Sequence, residues 1–170
     1  RETMTLHTSW NLDETAARMR TAGERLNELQ YTVTEQLESS VTAINSLAKQ
    51  MAAINEQLAR ATGNGQTPND LLDQREQVIR EINQYVQTTQ IPADDGTIGL
   101  FVGGSQPLVL GTTATEVAVG DSGTFPSSGQ VKLLFTRPGS PAIELDENML
   151  GGGSISGLLA SKLTSRSFAA

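Results

Sequence analysis

One uninterrupted helical stretch constrains this chain more than any other feature of its sequence. Between about Asn11 and Ala61 there is no proline, and the only glycine is Gly23. Such a stretch favours one helix on the order of 75 Å long. Apolar residues recur at alternating steps of four and three, which is the heptad spacing of a helix that packs along a seam. They are Leu26, Leu29 and Val33 upstream, and Leu47, Met51, Ile54, Leu58 and Ala61 downstream.

A second helix is predicted to fold back on the first. The segment Gly63-Asn64-Gly65 forms a short break, Thr67 and Pro68 suit the first positions of a new helix, and that helix runs to about Gln87. A short connection implies an antiparallel hairpin, in which facing residue numbers sum to about 130. This register pairs apolar residues throughout: Ile44 with Val86, Leu47 with Ile82, Met51 with Ile79, and Leu58 with Leu72.

The same register places Glu56 opposite Arg75, where an ion pair could form across the hairpin. The alternative is that both side chains are solvated, and an exposed pair would contribute only about 0–1 kcal/mol. The second helix reaches only the last third of the first, so the seam from Leu12 to Leu37 lacks a partner within the hairpin. An apolar stripe of this kind needs another partner. The chain is therefore predicted to be a fragment or part of an assembly.

From Ile91 the sequence pattern is that of β structure. Short apolar runs alternate with turn signals such as Asp95-Gly96 and Pro138-Gly139, which predicts a small antiparallel β domain. Strands are expected at residues 97–102, 107–110, 115–119, 130–136 and 141–145. Three glycines then precede Ser154, where a third helix begins. The predicted fold class is α+β, with a helical hairpin over 1–88, a β domain over 91–150 and a return towards helix over 151–170.

Composition disfavours several classes of function. The net charge is −7 and no run of basic residues occurs, which disfavours binding to nucleic acid or to an anionic membrane. The sequence contains no cysteine, so disulfides, thiol nucleophiles and cysteine-ligated zinc are excluded. No apolar run approaches the roughly 20 residues that span a bilayer.

Residues with catalytic or metal-binding chemistry are sparse. His7 is the only histidine, and a flexible terminal position explains it better than catalysis. Asp94 and Asp95 suit a hairpin turn, while Glu144 and Asp146 alternate with apolar residues as on a half-exposed strand. A calcium loop would need more carboxylates at regular spacing. A hydrolase that uses these carboxylates is a minor hypothesis, and we expect no enzyme activity, cofactor or metal.

Five segments, taken in their order along the chain, carry a family resemblance. They are Ile44–Asn55, Pro68–Gln77 with its continuation through Ile82-Asn83, Asp95–Thr97 followed by Val102–Gly104, Leu108–Gly111 and Gly152–Leu159. No single segment is decisive, because coiled-coil patterns recur by chance, but the ordered set is specific. The chain resembles the central region of flagellar hook-associated proteins. Two stretches depart from the family pattern: residues 6–11, where the family helix is continuous, and residues 162–170.

The resemblance implies a structural protein of the bacterial flagellum that supports motility. It implies helices that pack as a rod in an axial assembly at the junction of hook and filament, with β structure placed outside. Partners would be other axial subunits, reached through terminal helices outside this chain, and these helices would cover the Leu12 to Leu37 seam. The protein would be secreted to the extracellular flagellum without a cleaved signal peptide, would bind no nucleic acid or membrane, and would use no cofactor.

A second hypothesis comes from a different class of protein. A helical hairpin joined to a β adaptor could be an interaction module of a phage tail or a secreted adhesin. This hypothesis explains the heptad seam equally well, but it does not explain the ordered set of five segments. It predicts that the isolated chain oligomerises through the Leu12 to Leu37 stripe.

Overall fold

The computed structural model describes residues 2–65, 68–121, 131–137, 139–145 and 147–167. Three α-helices lie in these ranges: α1 Glu2–Gly63, α2 Asn69–Tyr85 and α3 Ser154–Ser167. The strands are β1 Thr88–Pro92, β2 Ile98–Val102, β3 Gln106–Leu110, β4 Thr113–Ala114, β5 Glu116–Asp121, β6 Val131–Thr136 and β7 Ile143–Leu145, and a short 3-10 helix spans Glu147–Met149. The predicted α+β class is confirmed.

Helix α1 begins at Glu2, earlier than the predicted start near Asn11. The resemblance had favoured this earlier start, and no proline or glycine before Asn11 interrupts the helix. At its other end α1 stops at Gly63, and Gly65, with a φ of 72°, turns the chain back. Helix α2 follows with Pro68 at its cap position. Thr67, which we expected there, lies outside the described residues.

The helical hairpin is amphipathic on both sides. Helix α2 packs against the downstream half of α1 and buries Val78, Ile79 and Ile82. On α1 the buried positions follow the heptad spacing, since every third or fourth residue faces the same side of a helix. The buried residues of this half of α1 are Leu37, Val41, Ile44, Leu47, Ala48, Met51, Ala52, Ile54, Asn55 and Leu58.

The β region consists of two antiparallel sheets. Strands β1-β2-β3-β4 form one sheet and β5-β6-β7 form the other. The five predicted strands all occur, with ends that differ by one or two residues, and Gln130 lies outside the described part. Strands β1 and β4 were not predicted. Strand β1 pairs with β2 across the predicted turn, in which the Gly96 N–H donates to the Ala93 carbonyl at 3.1 Å.

Helices and strands share one hydrophobic core. Buried residues of α1, α2, α3 and both sheets form a single cluster, and both sheets contact α1. Helix α3 contributes Ile155 and Leu159, which are almost fully buried. The division of the chain into units at 1–88, 91–150 and 151–170 therefore remains a prediction, and the shared core indicates that these parts stabilise one another.

Candidate assembly interface

The upstream half of α1 presents an apolar stripe that the rest of the described chain leaves open, except at its downstream end, where Val33 is half-buried and packs against the core. Its residues are Met19, Ala22, Leu26, Leu29 and Val33, spaced three, four, three and four apart. At about 100° per residue they lie on the same helix face as Leu37 and Ile44. Met19 is 70% exposed and Leu29 is 59% exposed, whereas Leu37 is completely buried. We call these five residues the open seam. The side chain of Leu12 lies outside the described part.

The open seam exists because the helices differ in length. Helix α1 has 62 residues and α2 has 17, which corresponds to about 93 Å against about 26 Å. Because α2 folds back from the end of α1, it cannot reach the upstream residues. The apolar periodicity nevertheless continues past the last covered position. An apolar face that keeps its heptad spacing beyond its own hairpin is typical of a helix with a further helical partner.

A shallow groove of about 550 Å³ runs along one flank of the open seam. Its floor contains Ala17 and Ala22, whose small side chains allow another helix to approach closely. Two arginines line its edge. Arg18 forms an exposed ion pair with Glu14 at 2.6 Å, whereas Arg25 forms no ion pair within the described residues. The flank is therefore positively charged and suits a partner that carries acidic residues beside its apolar face.

Tyr31 lies on the opposite side of α1 from the open seam, about 160° from Leu29 at the helical pitch. Its ring is 67% exposed. A hydrogen bond from its hydroxyl to the Glu35 carboxylate, together with the negative charge of Glu35, raises the pKa of the Tyr31 phenol. This residue gives a control position that is aromatic and exposed but does not belong to the seam.

The eight packing residues predicted from the hairpin register lie in or against the core. Ile44, Leu47, Met51 and Leu58 of α1 are buried, as are Ile79, Ile82 and Val86 on the returning chain. Leu72 is half-buried and packs against the same cluster. All eight therefore belong to the shared hydrophobic core or pack against it. Their exact pairwise register remains a prediction.

The predicted ion pair between Glu56 and Arg75 is not present in the structure. Glu56 instead pairs with Arg60, one turn further along the same helix. Arg75 donates through Nη1 to the Gly96 carbonyl oxygen at 3.3 Å. A partner four residues away on one helix is already in place when the helix forms, so it outcompetes a partner across an interface.

Two asparagines of α1 fix both sheets onto the helix, and sequence reasoning gave them no role. The Asn45 side chain accepts from the Val117 N–H at 2.9 Å and donates to the Val117 carbonyl at 2.7 Å. Asn55 makes the same two-point contact with Ile98, at 3.1 and 2.9 Å. The available signal was polarity on an otherwise apolar face, because Asn55 lies among the seam positions of α1.

Two of the carboxylates considered for catalysis, Asp95 and Glu144, make structural contacts. Asp95 accepts from the N–H and the hydroxyl of Thr97, and these hydrogen bonds lower the pKa of its carboxyl group. Glu144 pairs with Lys132 across neighbouring strands at 2.9 Å. Asp146 and the His7 side chain lie outside the described part. Among the described residues no three potential metal ligands come together.

Of the helices that the structure describes, none combines the length and the apolar character that crossing a membrane requires.

Comparison with known protein families gives one match that covers most of the chain. Residues 9–167 match the model of the flagellar hook-associated protein FlgK helical domain. Over 142 residues the chain is 37% identical to flagellar hook-associated protein 1 of Salmonella typhimurium and 36% identical to that of Escherichia coli K12. Each alignment covers 82% of this chain but only 25% and 26%, respectively, of the relative.

Comparison with solved structures agrees. The flagellar hook junction protein FlgK from Burkholderia pseudomallei superposes with a TM-score of 0.72 at 32% sequence identity. The superposition covers 82% of this chain and 25% of that protein. The chain thus spans about a quarter of the length of the relatives that it matches.

Proposed function

Since this chain belongs to the family of the flagellar hook-associated protein FlgK helical domain, we propose that it is part of a structural subunit at the junction of hook and filament. It acts by helical packing and catalyses no reaction. One observation carries the proposal: the family match extends over most of α1, whose upstream half keeps an apolar heptad face with Met19 and Leu29 exposed.

The open seam is the packing surface in this proposal. Its occupant is an amphipathic helix of a flagellar axial subunit, either another part of the same polypeptide or a neighbouring subunit. Because Arg18 and Arg25 line the groove, the facing helix carries Asp or Glu on that flank. Burial of the exposed Met19 and Leu29 side chains contributes most of the binding free energy, at about 1.5–3 kcal/mol for each fully buried side chain.

The location follows from the same role. We place the subunit in the extracellular flagellum, exported without a cleaved signal peptide, with neither nucleic acid nor membrane as a partner. The names of the relatives support the flagellar location. Within the subunit, the helical part over 1–88 serves as the rod that packs in the axial structure, while the β part over 91–150 faces away from it. No step in this role requires a cofactor.

A segment exchange tests the proposal. The aligned segment of the Salmonella typhimurium relative is replaced by this chain, in a strain that lacks its own copy, and swimming in soft agar is measured. We expect the exchanged protein to restore swimming. A second exchange that also carries Leu26→Glu and Leu29→Glu should fail, because two charges then lie in the seam.

The control exchange carries Tyr31→Glu, which places a charge on the opposite face of α1, and it should swim normally. Secretion of each protein into the medium is measured in parallel, so that a defect of export is distinguished from a defect of assembly. If the exchanged protein without further substitutions is secreted at the normal level but supports no filament, the proposed role is contradicted.

A further inference from the structure

A smaller cavity lies between the end of the helical hairpin and the β1–β2 turn. Its volume is about 280 Å³. Three elements meet there: the last turns of α1, the first turns of α2 and the turn that follows Pro92. The walls are mostly apolar, with one cationic side chain. The residues that matter here are Leu58, Thr62, Leu72, Arg75, Ala93 and Ile98.

Arg75 is the cationic residue of this cavity, and its hydrogen bonding is incomplete. The side chain is half-buried. Its one hydrogen bond, from Nη1 to the Gly96 carbonyl oxygen, is long at 3.3 Å. Nε is buried and has no acceptor. Arg75 also forms no ion pair in the described part of the chain, although three other arginines do. A guanidinium that is withdrawn from water without an anionic partner is an unfavourable arrangement unless a ligand completes it.

Among the described residues, no acidic side chain lines the cavity. Asp95, adjacent to Gly96, directs its carboxylate at Thr97 through two hydrogen bonds. Glu56 pairs with Arg60. A free polar group does face the cavity: the Thr62 hydroxyl makes no hydrogen bond within the described residues, and its Oγ1 lies only 2.8 Å from the point that a Gly96 Cβ would occupy. The site therefore offers a guanidinium and a hydroxyl, with no anion of its own.

The chemistry of this site selects the class of ligand. A guanidinium presents its N–H groups in a fork that matches a carboxylate, and the attraction is stronger where apolar walls exclude water. The volume is just below the roughly 300–1,000 Å³ of sites for drug-sized molecules. It suits one carboxylate on a few methylene groups, with the stem against Leu58, Leu72 and Ile98.

We propose that this cavity binds a single carboxylate carried on a short aliphatic stem. The carboxylate pairs with Arg75 and accepts a hydrogen bond from Thr62, while the stem lies on the apolar walls. The same chemistry is presented by a free short-chain carboxylate and by a glutamate side chain of a neighbouring polypeptide. The inference stands on the cavity and its residues, and it does not depend on the proposed flagellar role.

Titration of the 170-residue chain, followed by amide chemical shifts at constant ionic strength, tests this inference. The probes are sodium butyrate and, as the uncharged control of the same shape, butyramide. We expect saturable shifts at Thr62, Arg75, Gly96 and Ile98 with butyrate and none with butyramide. Arg75→Gln should weaken binding by at least roughly tenfold. Arg80→Gln, which changes an exposed arginine of the same helix, should leave it unchanged.

A second variant tests the proposal even if Arg75→Gln fails to fold. Ala93→Leu fills the cavity from an exposed wall position and leaves the guanidinium intact, so it should also abolish the butyrate shifts. The blocked dipeptide mimic N-acetylglutamate N-methylamide distinguishes the sources: tighter binding than butyrate identifies a glutamate side chain, and weaker binding identifies a free carboxylate. Shifts that fail to saturate, or that are equal for butyrate and butyramide, would overturn the proposal.

Discussion

The side-chain amide of Asn55 forms two hydrogen bonds with the backbone of Ile98, accepting from its N–H at 3.1 Å and donating to its carbonyl at 2.9 Å. Nδ2 also donates to the Gly111 carbonyl at 2.7 Å. Asn55 is completely buried. Its side chain supplies the hydrogen bonds that the backbone N–H and carbonyl of Ile98, at the start of β2, would otherwise need from a neighbouring strand. This contact ties the first sheet to α1, 43 residues distant in the sequence.

Replacement of Asn55 should therefore destabilise the fold strongly. In Asn55→Leu the Ile98 N–H and two backbone carbonyls lose their partner in a dry interior, and we expect a loss of at least about 2 kcal/mol in the free energy of unfolding. Urea unfolding measures this loss. Asn27→Leu, at an exposed position of the same helix, is the matched control and should change stability by less than about 0.5 kcal/mol. Equal values for the two variants would show that the Asn55 contacts contribute nothing.

A charge in the hairpin interface should have a comparable effect. Leu47 is 8% exposed, and Leu47→Asp places a carboxylate in the hydrophobic core to which α1 and α2 both contribute. We expect a loss of about 3 kcal/mol or more, because the buried charge has no partner. Thermal unfolding compares this variant with Gln50→Asp, which introduces the same side chain at an exposed position one turn away. If both variants melt at the same temperature, the hairpin interface described here is incorrect.

The entry into α3 depends on a glycine. Gly153 has a φ of 98°, and a Cβ at this position would contact the Tyr85 carbonyl oxygen and lie 2.7 Å from the Val86 nitrogen. Gly153→Ala should therefore displace α3 and lower the melting temperature. Gly157→Ala is the matched change, since a Cβ meets no atom within 4 Å there, and it should stabilise the helix by about 0.5–1 kcal/mol. A melting temperature that rises in both variants would contradict the close contact at Gly153.

Asp95 gives the β1–β2 turn a predictable pH dependence. Hydrogen bonds from Thr97 lower the pKa of its carboxyl group in the folded protein. The ionised form thus stabilises the fold above the ordinary aspartate pKa of about 3.9, and this stabilisation is lost as the pH falls through the lowered folded value. The advantage of the wild type over Asp95→Asn should be present at about pH 6 and should shrink as the pH falls below about 3.9. Urea unfolding at a series of pH values measures it.

Asp94→Asn is the control for the pH experiment. Asp94 occupies the same turn, but its side chain makes no hydrogen bond within the described residues. Its variant should follow the wild type across this pH range. If Asp94→Asn and Asp95→Asn respond alike, the effect belongs to the charge of the whole turn and not to the Thr97 contacts.

The sequence predicts those parts of the fold that depend on a local pattern within one helix or one turn. The seam of α1, the hairpin and the turn at Gly96 could all be predicted, because heptad spacing and turn chemistry are local. Strand β1 was not predicted because it shows no alternation of apolar and polar residues. All of its residues except the half-buried Thr88 are exposed, and it ends at Pro92. The separation of the β region into two sheets depends on contacts with α1 that span up to 72 residues, which no local pattern shows.

The candidate interface was predictable for the same reason. The five ordered segments predicted the family, and that prediction is confirmed by the match over residues 9–167. The open seam could be predicted because the apolar heptad spacing of α1 continues beyond the residues that the second helix can reach. The possible ion pair between Glu56 and Arg75 does not form. The register shows which residues face one another, but it does not show that Arg60, one turn along the same helix, competes for Glu56. The cavity at Arg75 was not visible, since its walls come from three elements that meet only in the folded chain.

The central claim is that the open seam is covered in the assembled flagellum. The chain contains no cysteine, so a single cysteine can report on one position. Leu29→Cys and, as control, Tyr31→Cys are introduced into the full-length exchanged protein, and their reaction rates with a water-soluble maleimide are compared on assembled flagella and on the isolated 170-residue chain. The account predicts that both cysteines react rapidly in the isolated chain and that only Cys at position 29 becomes protected on assembly. Equal reactivity of both positions in assembled flagella would contradict it.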